Sequence, residues 1–136
     1  MKKTLKNLLL SCCVLAFSAC YGRNASVNVD VLIVGGGASG VAAGIQSARL
    51  GVNTLIIEET PWLGGMLTSA GVSAVDGNYH LPAGIWGEFQ SKLADYYGGL
   101  DSLKTGWVSN VLFEPSVGNH ILCQMAEAEK NLSRVC

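Results

Sequence analysis

Apolar residues recur along this chain with two different periods, and their alternation predicts its architecture. Val31-Leu32-Ile33-Val34 is an unbroken, largely β-branched run of strand length, of the kind buried on both faces of a parallel sheet. From Ala38 to Leu50 the spacing becomes helical, with Val41, Ile45 and Ala48 on one side of an Ala-rich stretch that Gly51 stops. Leu55-Ile56-Ile57 forms a second short apolar run. Pro82 to Tyr97 returns to helical spacing, with Ile85, Phe89, Leu93 and Tyr96 facing inward, Glu88, Lys92 and Asp95 on another face, and Gly98-Gly99 as the stop. A further helix is predicted from Pro115 to Asn131, with proline in its first turn and Val117, Ile121, Leu122, Met125 and Ala128 inward. Leu132 to Cys136 reads as the opening of a third strand. Strands alternating with helices imply an α/β fold built on a parallel sheet.

The junction between the first strand and the first helix carries the chemistry. Gly35-Gly36-Gly37-Ala38-Ser39-Gly40 matches a turn in which Gly35 lets the chain leave the strand sharply and Gly37 leaves the backbone open to a pyrophosphate. Gly40 lets the helix pack closely on the sheet. Free amides and the positive dipole end at Ala38, Ser39 and Gly40 favour an anion without help from Lys or Arg. Glu58 follows the second apolar run at close to the roughly 20-residue offset expected of a carboxylate that accepts the ribose hydroxyls. Glu59 is the neighbouring alternative, and strand alternation lets only one of the pair face a ribose. The expectation is a Rossmann-like FAD/NAD(P)-binding domain, of which this chain supplies the N-terminal βαβ portion. The bland alternative is a nucleotide-free α/β fold with a glycine-rich turn.

After the second strand comes Pro61-Trp62-Leu63-Gly64-Gly65-Met66-Leu67-Thr68. Together with the glycine fingerprint, Gly44, Gly51 and Glu58, this segment resembles the FAD-dependent oxidoreductases of the glutathione-reductase-like type. The likeness is narrower to bacterial secreted or lipid-anchored members, through Val29 to Gly37, Leu63 to Thr68, and the helix-opening Phe113-Glu114-Pro115-Ser116-Val117. The resemblance implies FAD as cofactor, with Gly64, Gly65 and Met66 lining it beside the fingerprint residues. It also implies hydride transfer from a small-molecule substrate to the flavin and then to an electron acceptor, and it points to neither partner's identity. As residues alone, Gly64-Gly65 could equally be a plain turn. An NAD-linked dehydrogenase and an inactive, truncated lipid-anchored domain are the other functional readings.

The first 19 residues have a different character. Lys2, Lys3 and Lys6 precede an apolar run from Leu8 to Phe17 and small residues before Cys20, the tripartite layout of a secretory leader. That run is about half the roughly 20 residues of a membrane-spanning helix. Phe17-Ser18-Ala19-Cys20 resembles a bacterial lipobox, with Phe17 in place of the usual Leu, so Cys20 is the expected lipidation site and ordinary cleavage nearby is the alternative. Residues 20–28 would then tether residues 29–136 to the cell envelope, on an outer-membrane or periplasm-facing surface. No twin-arginine pair precedes the run, so export would deliver an unfolded chain that takes up FAD afterwards.

Composition narrows the choices. The chain has nine basic and ten acidic residues, and loss of the three leader lysines leaves six basic side chains, a formal charge of −4. Those six are scattered, which argues against nucleic acid and leaves membrane attachment to the lipid. Beyond the leader only Cys123 and Cys136 remain, too widely spaced for a metal site or a Cys-x-x-Cys redox pair. Trp86 on a helix face is expected in the core or an interface, with flavin stacking as the minor alternative. His80, in a glycine-containing loop, and His120, on a helix surface, are the only side chains whose ordinary pKa lies near neutrality, and no partner motif makes either catalytic. From Cys20 onward there is room for one small domain, so a complete flavoenzyme would need further strands and a substrate domain. The chain therefore reads as the N-terminal part of a larger enzyme.

Cys20→Ser is expected to move the protein from the membrane fraction to the soluble fraction and to abolish incorporation of labelled palmitate. Continued labelling would exclude Cys20 as the acylated residue.

Overall fold

The computed structural model describes residues 26–77, 79–107 and 109–136. The leader and Cys20 lie outside the described residues. Strand β1 spans Val31–Val34, helix α1 Ala38–Arg49 and strand β2 Thr54–Ile57. A short 3-10 turn at Gly65–Leu67 follows, then α2 at Gly84–Tyr97, a second 3-10 turn at Leu100–Leu103, α3 at Pro115–Glu127 and β3 at Leu132–Val135. All three strands are parallel in the order β1-β2-β3, with Val31, Thr54 and Leu132 in register at one end and Val34, Ile57 and Val135 at the other. The sequence Leu132 to Cys136 therefore does form a strand, and the sheet holds two successive crossovers where the fingerprint predicted one βαβ unit.

Each crossover returns to the strand beside the one it left, and right-handed connections of this kind place their helices on the same side. Consistently, α1 packs on all three strands and against α2 and α3, and α3 also packs on β3. The core between these layers contains Val41 and Ile45 from α1, Ile56 from β2, Phe89 and Leu93 from α2, and Ile121, Leu122 and Met125 from α3. Phe89 and Phe113 meet edge to face with centroids 5.5 Å apart, a geometry favoured by their ring quadrupoles. Arg49 at the C-terminal end of α1 bridges Glu88 on α2 and Glu129 beyond α3, each at 2.7 Å, so a cation both meets the helix dipole and ties three segments together.

The structure corrects several expectations. Strand β1 is covered on one face only: Leu32 is 54% and Val34 81% exposed, and on the same side of the sheet Ile57 and Val135 are 40% and 58% exposed. Both crossovers run on the other side, and on this one Leu55 of the central strand, paired with Leu32, is buried while the residues around it stay open. In α2 the buried arc is turned from the predicted stripe, with Gln90 and Ala94 inside and Tyr96 outside. Gln90 enters because its amide donates to the Tyr79 carbonyl at 2.8 Å and so satisfies itself while buried. Helix α3 ends at Glu127, earlier than the predicted Asn131, which leaves Ala128 exposed and Ala126 buried. Its carboxyl end turns back early because Leu132 must enter the ladder beside Thr54.

Ile56→Ala should cost about 2–5 kcal/mol, because it opens a cavity beneath α1, whereas Val34→Thr on the bare face should change stability by about 0.5 kcal/mol or less. Chemical denaturation of both variants checks this, and equal losses would show that the two faces are equally buried.

Candidate cofactor site

The site forms where β1 gives way to α1. Gly35 leaves the strand with φ of 103°, a left-handed conformation that glycine adopts without Cβ strain. Its N–H donates to the Ile57 carbonyl at 2.8 Å, so the turn begins while still tied to β2. Helix α1 then starts at Ala38 with Gly37 as N-cap. No side chain caps it and no acidic residue sits in its first turn, so the first-turn amides point outward with their partial positive charge uncompensated. A Cβ built on Gly37 would meet nothing within 4 Å, so the space in front of the turn is open. A Cβ on Gly40 would lie 2.0 Å from the Gly35 carbonyl oxygen, and one on Gly44 would lie 2.6 Å from Ile56 Cδ1. These two glycines let the helix lie directly on the sheet.

Glu58 joins the turn just beyond the end of β2. Its Oε2 accepts the Gly36 N–H, and its Oε1 accepts the Thr60 N–H at 3.0 Å and the Thr60 hydroxyl at 2.9 Å. Thr60, through its amide and then its hydroxyl, holds the carboxyl below the usual glutamate pKa against the opposing effect of burial, with lesser help from the Gly36 and Glu59 amides. The Glu59 side chain is exposed and takes no part in these hydrogen bonds.

The Gly64-Gly65 loop closes the other side. Gly64 has φ of 111°, donates its N–H to the Gly36 carbonyl at 2.7 Å and forms an isolated parallel bridge with Gly37. A Cβ on Gly65 would lie 3.0 Å from Gly37 Cα. Turn and loop thus form one continuous backbone surface. Met66, in the 3-10 turn that follows, is 64% exposed on the same loop. Thr68, 1% exposed, donates from Oγ1 to the Leu63 carbonyl at 2.6 Å, and Asn119 on α3 accepts the Leu63 N–H at 2.9 Å.

The structure therefore brings together Gly35, Gly37, Ala38, Ser39, Gly40, Glu58, Gly64 and Gly65, leaves Met66 at their margin, and keeps Glu59 apart. His80 is exposed and stacked on Tyr79 with ring centroids 4.0 Å apart, and His120 is exposed on α3. Trp86 is half-buried beside Phe89 as part of the core layer. Cys123 and Cys136 are free thiols. Among the described residues no cluster of His, Cys, Asp or Glu could hold a metal ion, and no helix is long and apolar enough to cross a membrane. Thr60, Thr68 and Asn119 were missed from the sequence. The signal for Asn119 was a poor helix former placed between the inward positions Val117 and Ile121.

A parallel sheet, a glycine turn at an uncapped helix N-terminus and a carboxylate at the neighbouring strand end define a dinucleotide-binding α/β domain. The model of the FAD dependent oxidoreductase family matches residues 30–135, and the chain belongs to that family. Its cofactor is FAD. The chain is 37% identical over 57 residues to sarcosine oxidase subunit alpha of Corynebacterium sp. (strain U-96), covering 42% of this chain and 6% of that protein. It is 35% identical over 86 residues to NADH:fumarate oxidoreductase of Klebsiella pneumoniae (strain 342), covering 62% of this chain and 9% of that protein. The aligned region is thus less than a tenth of either relative. A solved structure of Thermovibrio ammonificans THI4 superposes with a TM-score of 0.44 at 16% identity over 98% of this chain and 46% of that one, a likeness too slight to carry an argument.

Because its pKa is lower in the fold than in the unfolded chain, ionised Glu58 stabilises the fold above the ordinary value of 4.5, and this contribution is lost as pH falls through the lower folded value. Glu58→Gln should therefore lose stability at neutral pH and show a shallower decline on the acid side of 4.5. Thermal melts across that range test this, and an unchanged acid slope would show that the carboxylate contributes nothing to the turn.

Proposed function

We propose that this chain holds the ADP half of FAD in an oxidoreductase that removes a hydride from a small-molecule substrate. The observation that carries this reading is the convergence of an open glycine turn, an uncapped helix N-terminus and Glu58 on one backbone surface shared with Gly64 and Gly65. Ala38, Ser39 and Gly40 would present their amides to the diphosphate, and Gly37 would let it approach the backbone. A carboxylate offers about four acceptor positions. Glu58 already accepts from Gly36 on Oε2 and from Thr60 on Oε1, and a ribose hydroxyl would join this shared acceptor group. Glu59, exposed and outside the cluster, is not assigned to the ribose.

Gly64, Gly65 and Met66 would run beside the part of the cofactor that continues past the diphosphate, where backbone dipoles can tune it. The chemistry that FAD supplies is two-electron redox, with hydride acceptance at its N5. The chain's own contribution is binding and orientation. Substrate contacts and the route to an electron acceptor belong, in this reading, to parts of the enzyme outside this nucleotide-binding unit. The leader and lipobox-like segment support a location at the bacterial cell envelope, with the domain tethered through acylated Cys20.

The full-length protein, purified and scanned in the visible range, should show a flavin band. Gly37→Val should remove most of it, and Glu58→Ala should weaken FAD binding about tenfold, as expected for loss of a charge-assisted hydrogen bond and its support of the turn. No band, with none gained after incubation with FAD, would overturn the reading, and full retention by Glu58→Ala would remove that residue from the ribose role.

A further inference from the structure

The cofactor-facing backbone of the Gly64-Gly65 loop is fixed from behind by a residue that lies on a different layer of the fold. Leu63 has a fully buried side chain, and a buried backbone amide needs an acceptor inside the protein. Asn119 Oδ1 supplies it at 2.9 Å, across 56 positions of sequence. On the same residue the carbonyl is held by Thr68 Oγ1 at 2.6 Å, and the next amide, Gly64 N–H, reaches the Gly36 carbonyl at 2.7 Å. A chain of hydrogen bonds thus runs from α3 through Leu63 and Gly64 to the glycine turn. Slack is small at both ends of that chain: a Cβ on Gly64 would meet Leu122 Cδ1 and Thr68 Cγ2 at 2.7 Å, and one on Gly65 would meet Gly37 Cα at 3.0 Å.

We propose that Asn119 is a positioning residue for FAD, setting the distance between the Gly64-Gly65 loop and the glycine turn through the Leu63 amide. This rests on the reading that turn and loop hold the cofactor. The amide of Asn119 is itself oriented, because Oδ1 also accepts from the Cys123 thiol at 3.4 Å, one helical turn along α3. Burial pushes the Cys123 thiol pKa up, so at neutral pH it keeps the proton that it donates. Asparagine is a poor helix former, and its presence within α3 is accounted for by an acceptor directed at the loop and not by the helix. Asn119 touches none of the reacting atoms in this assignment. Its effect reaches the cofactor through the backbone of Leu63 and Gly64.

The test uses the full-length protein, stripped of flavin, with FAD affinity measured by titration and the melting temperature of each flavin-free variant measured alongside. Asn119→Leu keeps the volume and removes the acceptor, and it should raise the Kd for FAD about tenfold. Asn119→Asp keeps Oδ1 and should stay within about threefold of the parent. Met125→Ala, a core truncation in the same helix at a residue with no side-chain hydrogen bond to the loop, supplies the comparison for a general loss of stability. It should lower the melting temperature at least as far as Asn119→Leu while leaving the Kd within about threefold. If Asn119→Leu does not fold, Asn119→Ala is judged by the same criteria. A normal Kd in Asn119→Leu, while Gly37→Val loses FAD, would overturn this role and leave the cofactor site standing. An equal rise in Met125→Ala, or an equal loss in Asn119→Asp, would also overturn it. Retention of FAD by Gly37→Val would instead overturn the reading of the turn on which the inference rests.

Discussion

The arrangement depends on how closely α1 lies on the sheet. At Gly40 there is no room for a single carbon between the helix and the Gly35 carbonyl, and at Gly44 none between the helix and Ile56. With larger residues at these points the helix would have to lift, and its first turn would swing away from the ends of the strands. Because it does not lift, the outward amides of Ala38, Ser39 and Gly40 sit beside Gly36, where Glu58 and Gly64 also arrive. What this corner offers an anion is that fixed backbone geometry, without a cationic side chain in the fingerprint.

The same topology gives the sheet two unlike faces. Two crossovers in one direction stack α1 and α3 on one side, where Val41, Ile45, Ile56, Leu122 and Met125 interlock. The opposite side presents Leu32, Val34, Ile57 and Val135, a row of apolar side chains of the kind proteins normally cover. The chain belongs to the FAD dependent oxidoreductase family, and its alignments span less than a tenth of sarcosine oxidase subunit alpha and of NADH:fumarate oxidoreductase. The glycine turn, Glu58 and the Gly64-Gly65 loop lie at the strand ends that its own helices organise.

Polar groups inside the molecule serve mainly to hold loops in register. Gln90 ties α2 to the Tyr79 carbonyl, Ser109 donates to the Val75 carbonyl at 2.6 Å, and Thr68 and Asn119 grip Leu63 from two sides. Thr68 closes the loop on itself, and the other bonds join residues 11 or more positions apart, which lets long connections take a defined path without secondary structure of their own.

The sequence by itself determined the strand, turn, helix and strand from Val31 to Glu58, because apolar period and glycine placement are local properties that require no partner. Strand alternation allowed only one of Glu58 and Glu59 to face the turn, and the spacing of the family resemblance favoured Glu58 and singled out the Gly64-Gly65 loop. The tertiary structure decided what depends on contacts between distant segments. Val34 reads as a core residue in any window of sequence, and only the shared hand of the two crossovers leaves it in solvent. Tyr96 and Gln90 exchange places because a carbonyl at Tyr79 is available to one of them. Asn119 stands out in the sequence only as a poor helix former between Val117 and Ile121, and its contact with the loop arises from folding α3 against Leu63, where a buried amide needs an acceptor.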